Sequence, residues 1–401
     1  MRVLVYGGVG DGACDYYRLG MYVGYLAEVG IEVVPWQPQL RYPGEYGEDW
    51  RRALRDGKAT VDLDALAAAD VVLFSRWFNT SAHCSECGLD CRTAEGLERH
   101  GVSVGHASLG IDPLLRPLLG SLLADRSLRG RSGIIYDLDD DLLHQPDWVG
   151  HAAGLALELD VVELLVRSAD LVTVSTPVLS QALAPYTKRS VVVRNAIELG
   201  LYGPVLASAS EVGDEVRILF YGAGVRTREY ELCRRAVDEA AASGPRVRRI
   251  WLGATDPAVR ALVDEVYPYA QAGASFASAL AGTRPDIGLA PLGSGDFERA
   301  KSELHWLEYS AVGAATIATR LAPSGPYDVI DDGVDGLLAE TPDDWRRHVA
   351  GLAASSDRRA EIAGRARERI ASDYSAARRA MEWAAVFRWA ASHAGAGLAG
   401  I

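Results

Sequence analysis

The chain has 401 residues and a formal net charge of −13, long enough for two domains that each bury a core. That acidic balance argues against a generally basic nucleic-acid surface, and no apolar run approaches membrane-spanning length. Of five cysteines, Cys14 and Cys233 lie far from the rest, which argues against a disulfide framework.

The N-terminus, MRVLVYGG, enters a strand with no signal-peptide pattern, so a cytoplasmic protein is expected. Residues 2–6 predict the first strand. The glycine-rich turn GGVGDGACD and a helix from about Tyr16 to Glu28 follow, with Gly30 as the stop. Gly7, Gly8, Gly10 and Gly12 permit close backbone approach there, although the dinucleotide spacing G-x-G-x-x-G is absent. Further strands are expected from Ile31, at Val71–Phe74, Gly133–Tyr136, Leu171–Val174 and Val191–Val193. Helices are expected around Leu155–Ser168 and Thr176–Ala184. Apolar strands alternating with helices predict a parallel sheet covered on both faces.

Past Asn195, LGLYGPVLASASEVGDE reads as a linker, and a second alternating series starts at Val216–Tyr221 and continues through Ile250–Leu252. Glu340–Asp373 reads as mostly helical with an i,i+4 charged surface. A last helix, about Ala376–Ser392, carries Met381, Trp383, Val386, Phe387 and Trp389. Such bulk needs a partner surface, for which the first domain is the candidate. The expected division is 1–205, with an insertion at about 80–110, then 214–375, then a C-terminal helix in 376–401.

Asp286–Thr319 organises the second series. A strand, Ile287–Ala290, precedes a loop with Pro291, Gly293 and Gly295. A helix of three turns stopped by Gly313 and a strand at Ala314–Ala318 are then expected. A βαβ unit of this kind presents a ligand at the strand's carboxyl end, against a helix N-terminus that favours phosphate. At helical spacing Lys301, His305 and Glu308 share one face, beside an apolar stripe of Leu304, Leu307 and Ala311. A cation followed by a carboxylate suits a nucleoside diphosphate. A solvated Lys–Glu face fits the same spacing.

The order of short patterns along the chain resembles the GT-B glycosyltransferases of the large retaining, nucleotide-sugar-dependent superfamily, in its phage and bacterial branch. The patterns are DYYR (Asp15–Arg18), YDLDDDL (Tyr136–Leu142), VSTPVL (Val174–Leu179), RNAI (Arg194–Ile197), FERAKSELHWLEYSAVGA (Phe297–Ala314), GPYDVI (Gly325–Ile330) and DGVDGLL (Asp332–Leu338). The resemblance implies an α/β fold of two Rossmann-like domains facing across a cleft, with the donor mainly on the second and the acceptor on the first. It also implies a UDP- or GDP-sugar donor. Glu308 matches the superfamily's ribose-binding glutamate. The partner glutamate that contacts the donor sugar falls at Ala300, which leaves the sugar unassigned. Lys301 and Ser302 are candidates for the diphosphate. In the turn GAGVRTREY, Arg226 is a candidate second cation beside Gly224, and Gly10 is the first domain's glycine candidate.

Three readings stand for the acidic run Asp137, Asp139, Asp140 and Asp141. They are an acceptor-side or catalytic role, with Asp137 and Asp139 favoured because they directly follow a strand, capping of a helix N-terminus by Asp139 or Asp140, and a D-x-D metal site.

Cys84, Cys87, His100 and His106 form C-x2-C-x12-H-x5-H, which resembles a two-cysteine, two-histidine zinc finger inserted in the first domain. Leu97 occupies the usual core position, whereas Cys91 stands where an aromatic residue is usual. Cys91 or His83 competes as a ligand, and buried cysteines with incidental histidines are the alternative. Thr93, Gly96 and Arg99 would sit at base-reading positions. Glu86, Asp90, Glu95 and Glu98 outweigh Arg92 and Arg99, which favours a structural or protein-contacting finger.

These readings predict a glycosyltransferase acting on a macromolecular acceptor, such as a hydroxymethylated pyrimidine in phage-type DNA. The alternatives are a protein or surface-glycan acceptor, and a non-catalytic nucleic-acid-binding protein on a decayed GT-B scaffold.

Overall fold

A computed structural model of the chain describes residues 1–6, 13–36, 40–41, 43–46, 60–61, 64–75, 132–146, 159–203, 215–222, 227–253 and 257–394. Two six-stranded sheets carry the fold, together with a two-stranded antiparallel pair, β3 (Leu40–Arg41) and β4 (Thr60–Val61). The first sheet contains β1 (Arg2–Tyr6), β2 (Glu32–Pro35), β5 (Val71–Ser75), β6 (Gly133–Leu138), β7 (Leu171–Val174) and β8 (Ser190–Val192). They lie in the order β2-β1-β5-β6-β7-β8, and every pairing is parallel. The second sheet contains β9 (Glu215–Tyr221), β10 (Arg246–Leu252), β11 (Glu265–Tyr267), β12 (Ile287–Ala290), β13 (Ala315–Thr319) and β14 (Leu337–Ala339). Its order is β11-β10-β9-β12-β13-β14, again all parallel.

The strands are apolar on both faces because helices cover both faces. Leu4, Val72, Phe74, Ile134 and Tyr136 point into a core with Val162, Leu165 and Val166 of the helix Leu159–Ser168. Their neighbours Val3, Val5, Val71, Leu73 and Ile135 point the other way, against Trp383 and Phe387 of the C-terminal helix Ala376–His393. Gly133 makes that packing close, since a Cβ there would lie 2.4 Å from the Ala390 carbonyl oxygen. The second sheet divides likewise. Ile218 and Phe220 pack with Tyr230 and Trp345, whereas Leu219 and Tyr221 pack with Trp306 and Tyr309. The chain passes between the sheets beside an isolated parallel bridge, Ile197 with Ser375. Ile197 N–H donates to the Tyr374 carbonyl at 2.8 Å there.

Several expected elements are divided. The helix expected at Tyr16–Glu28 is three pieces, Ala13–Arg18, a 3-10 turn at Gly20–Tyr22, and Val23–Glu28. Glu340–Asp373 is two helices, Pro342–Ala354 and Ser356–Asp373. Thr341 caps the first with a reciprocal Asp344 bond, and the Ser355 side chain caps the second. No helix among the described residues is long and apolar enough to cross a membrane.

Candidate functional site

The single three-turn helix expected after β12 is also divided. A short helix, Asp296–Arg299, is followed by an irregular turn at 300–303 and then the helix Leu304–Ala311. Gly313 ends the latter at φ 79° with a pair of reverse-turn bonds, Ala314 N–H to Tyr309 and Gly313 N–H to Ser310. Every residue from His305 to Ala311 is buried, so the helix has no solvated face. The amphipathic reading failed because a helix between a sheet and a second domain needs no wet side.

The turn breaks from helical form where it docks on the first domain. Thr176 Oγ1 donates to the Ala300 carbonyl at 2.9 Å, and Asn195 Nδ2 donates to Ser302 Oγ at 3.0 Å. Lys301 Nζ lies 3.2 Å from Asp140 Oδ1, and Arg194 lies 3.3 Å from Glu303 Oε2. The Ala300 methyl belongs to the first domain's core. Lys301 therefore lies outside the helix that carries Glu308. Its ammonium also sits 4.3 Å over the Phe297 ring.

Glu308 is 2% exposed. Its two oxygens accept short hydrogen bonds from the Tyr17 hydroxyl, on the first domain, and the Tyr221 hydroxyl, at the end of β9. Burial pushes its carboxyl up to about 8, opposed by the Tyr17 bond. The Tyr221 ring stacks on His305, with centroids 4.2 Å apart. Burial also raises Glu303, against the pull of Arg194.

Asp137 is a framework group in this geometry. It is 1% exposed and takes Arg18 Nε at 3.0 Å and Nη2 at 2.7 Å, plus Thr173 Oγ1 at 2.6 Å. Arg18 continues to the Val193 carbonyl and to Asn195 Oδ1 at 3.1 Å. A hydrogen-bonded chain thus runs Asp137–Arg18–Asn195–Ser302 into the second domain. Asp139 is partly buried, and its carbonyl accepts from Ser175 at 3.0 Å. Neither Asp139 nor Asp140 caps a helix. Asp141 precedes the 3-10 turn Leu142–His144 without a capping bond and instead meets His144 Nδ1 at 2.9 Å.

Tyr17, Arg18, Asn195 and Tyr221 carry this arrangement without having been singled out. DYYR and RNAI flagged three of them as pattern members, but no local spacing shows that they meet. Gly10, Gly224, Arg226, Cys84, Cys87, His100 and His106 lie outside the described residues. Among the described residues, no group of three or more His, Cys, Asp or Glu is placed to hold a metal.

Residues 228–385 match a family described as glycosyl transferase-like. No match is found among curated proteins. The fold is similar to that of Anabaena HepE in complex with UDP and glucose, with TM-score 0.60 and 14% identity over 97% of this chain and 100% of that one. It is also similar to a sucrose-phosphate synthase from Thermosynechococcus elongatus (TM-score 0.57, 15% identity, 97% and 98% covered). An alpha-glucosyltransferase in complex with UDP gives TM-score 0.57 and 11% identity, with 97% and 100% covered. Residues 228–385 thus match a glycosyl transferase-like family, and the chain shares the two-domain α/β fold of these structures.

Proposed function

We propose that the protein transfers a sugar from a nucleoside diphosphate donor, UDP-sugar foremost, to a macromolecular acceptor. The observation that carries this reading is the 300–308 segment. It brings Lys301 and Glu308 of the second domain to Asp140 and Tyr17 of the first. Structures of the same fold in complex with UDP support UDP as the nucleotide. Glu308 takes the ribose, Lys301 and Ser302 the diphosphate, with Arg226, Gly224 and Gly10 completing the site.

Breaking the anomeric carbon–phosphate bond builds negative charge on the leaving diphosphate. Loss of one positioned cation or donor there costs about 3 kcal/mol in the barrier. Asp137 acts through Arg18 and Asn195, which fix the turn carrying Ser302. Asp139 stays on the acceptor side.

The acceptor proposal rests on the finger spacing. Cys84, Cys87, His100 and His106 are the residue types for a closed tetrahedral zinc site, whose metal would supply the folding energy of so small an insertion. A finger beside the acceptor domain supports a macromolecular acceptor, with hydroxymethylated pyrimidine in phage-type DNA as the working choice and a cytoplasmic setting.

The test is titration calorimetry with UDP and GDP, followed by a donor screen read by mass spectrometry. Acceptors would be hydroxymethyl-pyrimidine duplex, plain duplex and protein. Binding of neither nucleotide would point to a decayed, non-catalytic scaffold, and transfer only to protein would move the acceptor.

A further inference from the structure

The hydrogen-bonded chain Asp137–Arg18–Asn195–Ser302 has a direction, fixed by chemistry at its buried end. Arg18 is 2% exposed, with its guanidinium carbon 5.4 Å from the Trp383 ring centroid. Its Nε and Nη2 hold the two oxygens of Asp137, and its Nη1 donates to the Val193 carbonyl and, at 3.1 Å, to Asn195 Oδ1. A guanidinium has donors and no acceptor. The Asn195 amide therefore has to turn its oxygen to Arg18, which leaves its nitrogen for Ser302 Oγ at 3.0 Å.

An amide nitrogen only donates, so the Ser302 oxygen must accept. A hydroxyl has one hydrogen. With Nδ2 donating to its oxygen, that hydrogen turns elsewhere, and among the described residues no acceptor takes it. Asn195 is 3% exposed, and Asp137, which anchors Arg18, also takes Thr173 Oγ1 at 2.6 Å. The buried end of this relay cannot re-pair without stranding a charge. Ser302 is partly exposed, so its hydrogen is the one left for a ligand.

We propose that Arg18 and Asn195 are positioning residues that fix Ser302 as a hydrogen-bond donor, so that it selects a ligand group that only accepts, an ionised phosphate oxygen. This rests on the reading of Ser302 as a diphosphate ligand and adds the direction of its bond. A serine free to turn would at times present a lone pair to the phosphate. The relay removes that choice before the ligand arrives, so the dipole needs no reorganisation. An amide at 195 is required for this sense. Aspartate there would accept from Arg18 and from Ser302 alike, keeping the bond between the domains with its polarity reversed.

Titration calorimetry with UDP tests this on wild type, Ser302→Ala, Ser302→Thr, Asn195→Asp, Asn195→Ala, and Asn195→Asp combined with Ser302→Ala. Ser302→Ala should weaken UDP about 10- to 100-fold, the net worth of one hydrogen bond to a charged group. Ser302→Thr should retain binding. Asn195→Asp should melt as wild type, because the docking bond is kept, yet weaken UDP about tenfold or more. Combined with Ser302→Ala it should weaken binding no further than Ser302→Ala alone. Asn195→Ala leaves the hydroxyl free to turn and should fall between wild type and Ser302→Ala, a second reading should the aspartate variant fail to fold. Three results overturn the proposal: unchanged binding in Asn195→Asp, Asn195→Ala outside that interval, or an aspartate effect that persists in full without the Ser302 hydroxyl, as plain charge repulsion would give. If Ser302→Ala still weakens UDP, the diphosphate reading survives that failure. If Ser302→Ala binds UDP as wild type does, or no protein binds UDP, both readings fall.

Discussion

Replacing Glu308 by Gln should change the pH dependence of stability in a calculable way. Burial moves this carboxyl from its ordinary 4.5 up to about 8. Because the folded value lies above the unfolded one, the group's relative contribution is complete below about 4.5. It is lost as pH rises towards about 8, and it levels off beyond. Full ionisation of such a group costs roughly 5 kcal/mol of folding free energy, of which roughly 3 kcal/mol falls between about pH 6 and about pH 9. The glutamine amide is nearly isosteric and cannot ionise. Both tyrosine hydroxyls can still bond to it, one as donor to its oxygen and one as acceptor from its nitrogen. Urea midpoints of wild type and Glu308→Gln, measured in parallel across that range, should therefore diverge, with the variant gaining on wild type as pH rises. Parallel profiles would refute the reasoning, because they would mean that Glu308 is solvated or already paired with a cation.

Asp137→Leu leaves Arg18 charged and buried, and should cost about 3–5 kcal/mol, read as a fall in melting temperature. Asp137→Asn with wild-type melting but a collapsed transfer rate would instead put Asp137 in the reaction. Lys301→Ala should lower transfer about 100-fold, the equivalent of about 3 kcal/mol in the barrier, with donor turnover as the measurement. Gly288→Ala should destabilise the second domain by about 1–3 kcal/mol or more, since its Cβ would lie 2.3 Å from the Tyr309 ring. Chelation with phenanthroline should release one zinc per chain, measured by atomic absorption, and Cys84→Ser should abolish that binding.

The strands were legible because buried parallel strands are short apolar runs between breakers, and β1, β5, β7 and β12 begin within a residue of where their apolar runs do. The helices were less so. Ala13–Glu28 and Asp296–Ala311 each carry a continuous helical pattern, yet the first is interrupted where it packs against the C-terminal helix and the second where it meets the first domain. Local propensity cannot register a partner hundreds of residues away. Tyr17 and Glu308 are separated by 291 residues and Lys301 and Asp140 by 161. Lys301 and Glu308 fitted a solvated face, Asp140 an acidic run and Tyr17 only a short pattern, until the fold joined them.

The same reasoning accounts for Ala300. Ala300 packs in the first domain's core, so a glutamate at this position would bring its carboxyl into apolar surroundings. An unpaired buried carboxylate costs several kcal/mol. Alanine is what the docked arrangement admits, at 1% exposure, while the backbone carbonyl of the same residue takes the Thr176 hydroxyl. The departure from the two-glutamate pattern thus has a packing reason in this arrangement. Lys301 and Glu308, the groups proposed for the nucleotide, are both covered by first-domain side chains, Asp140 and Tyr17.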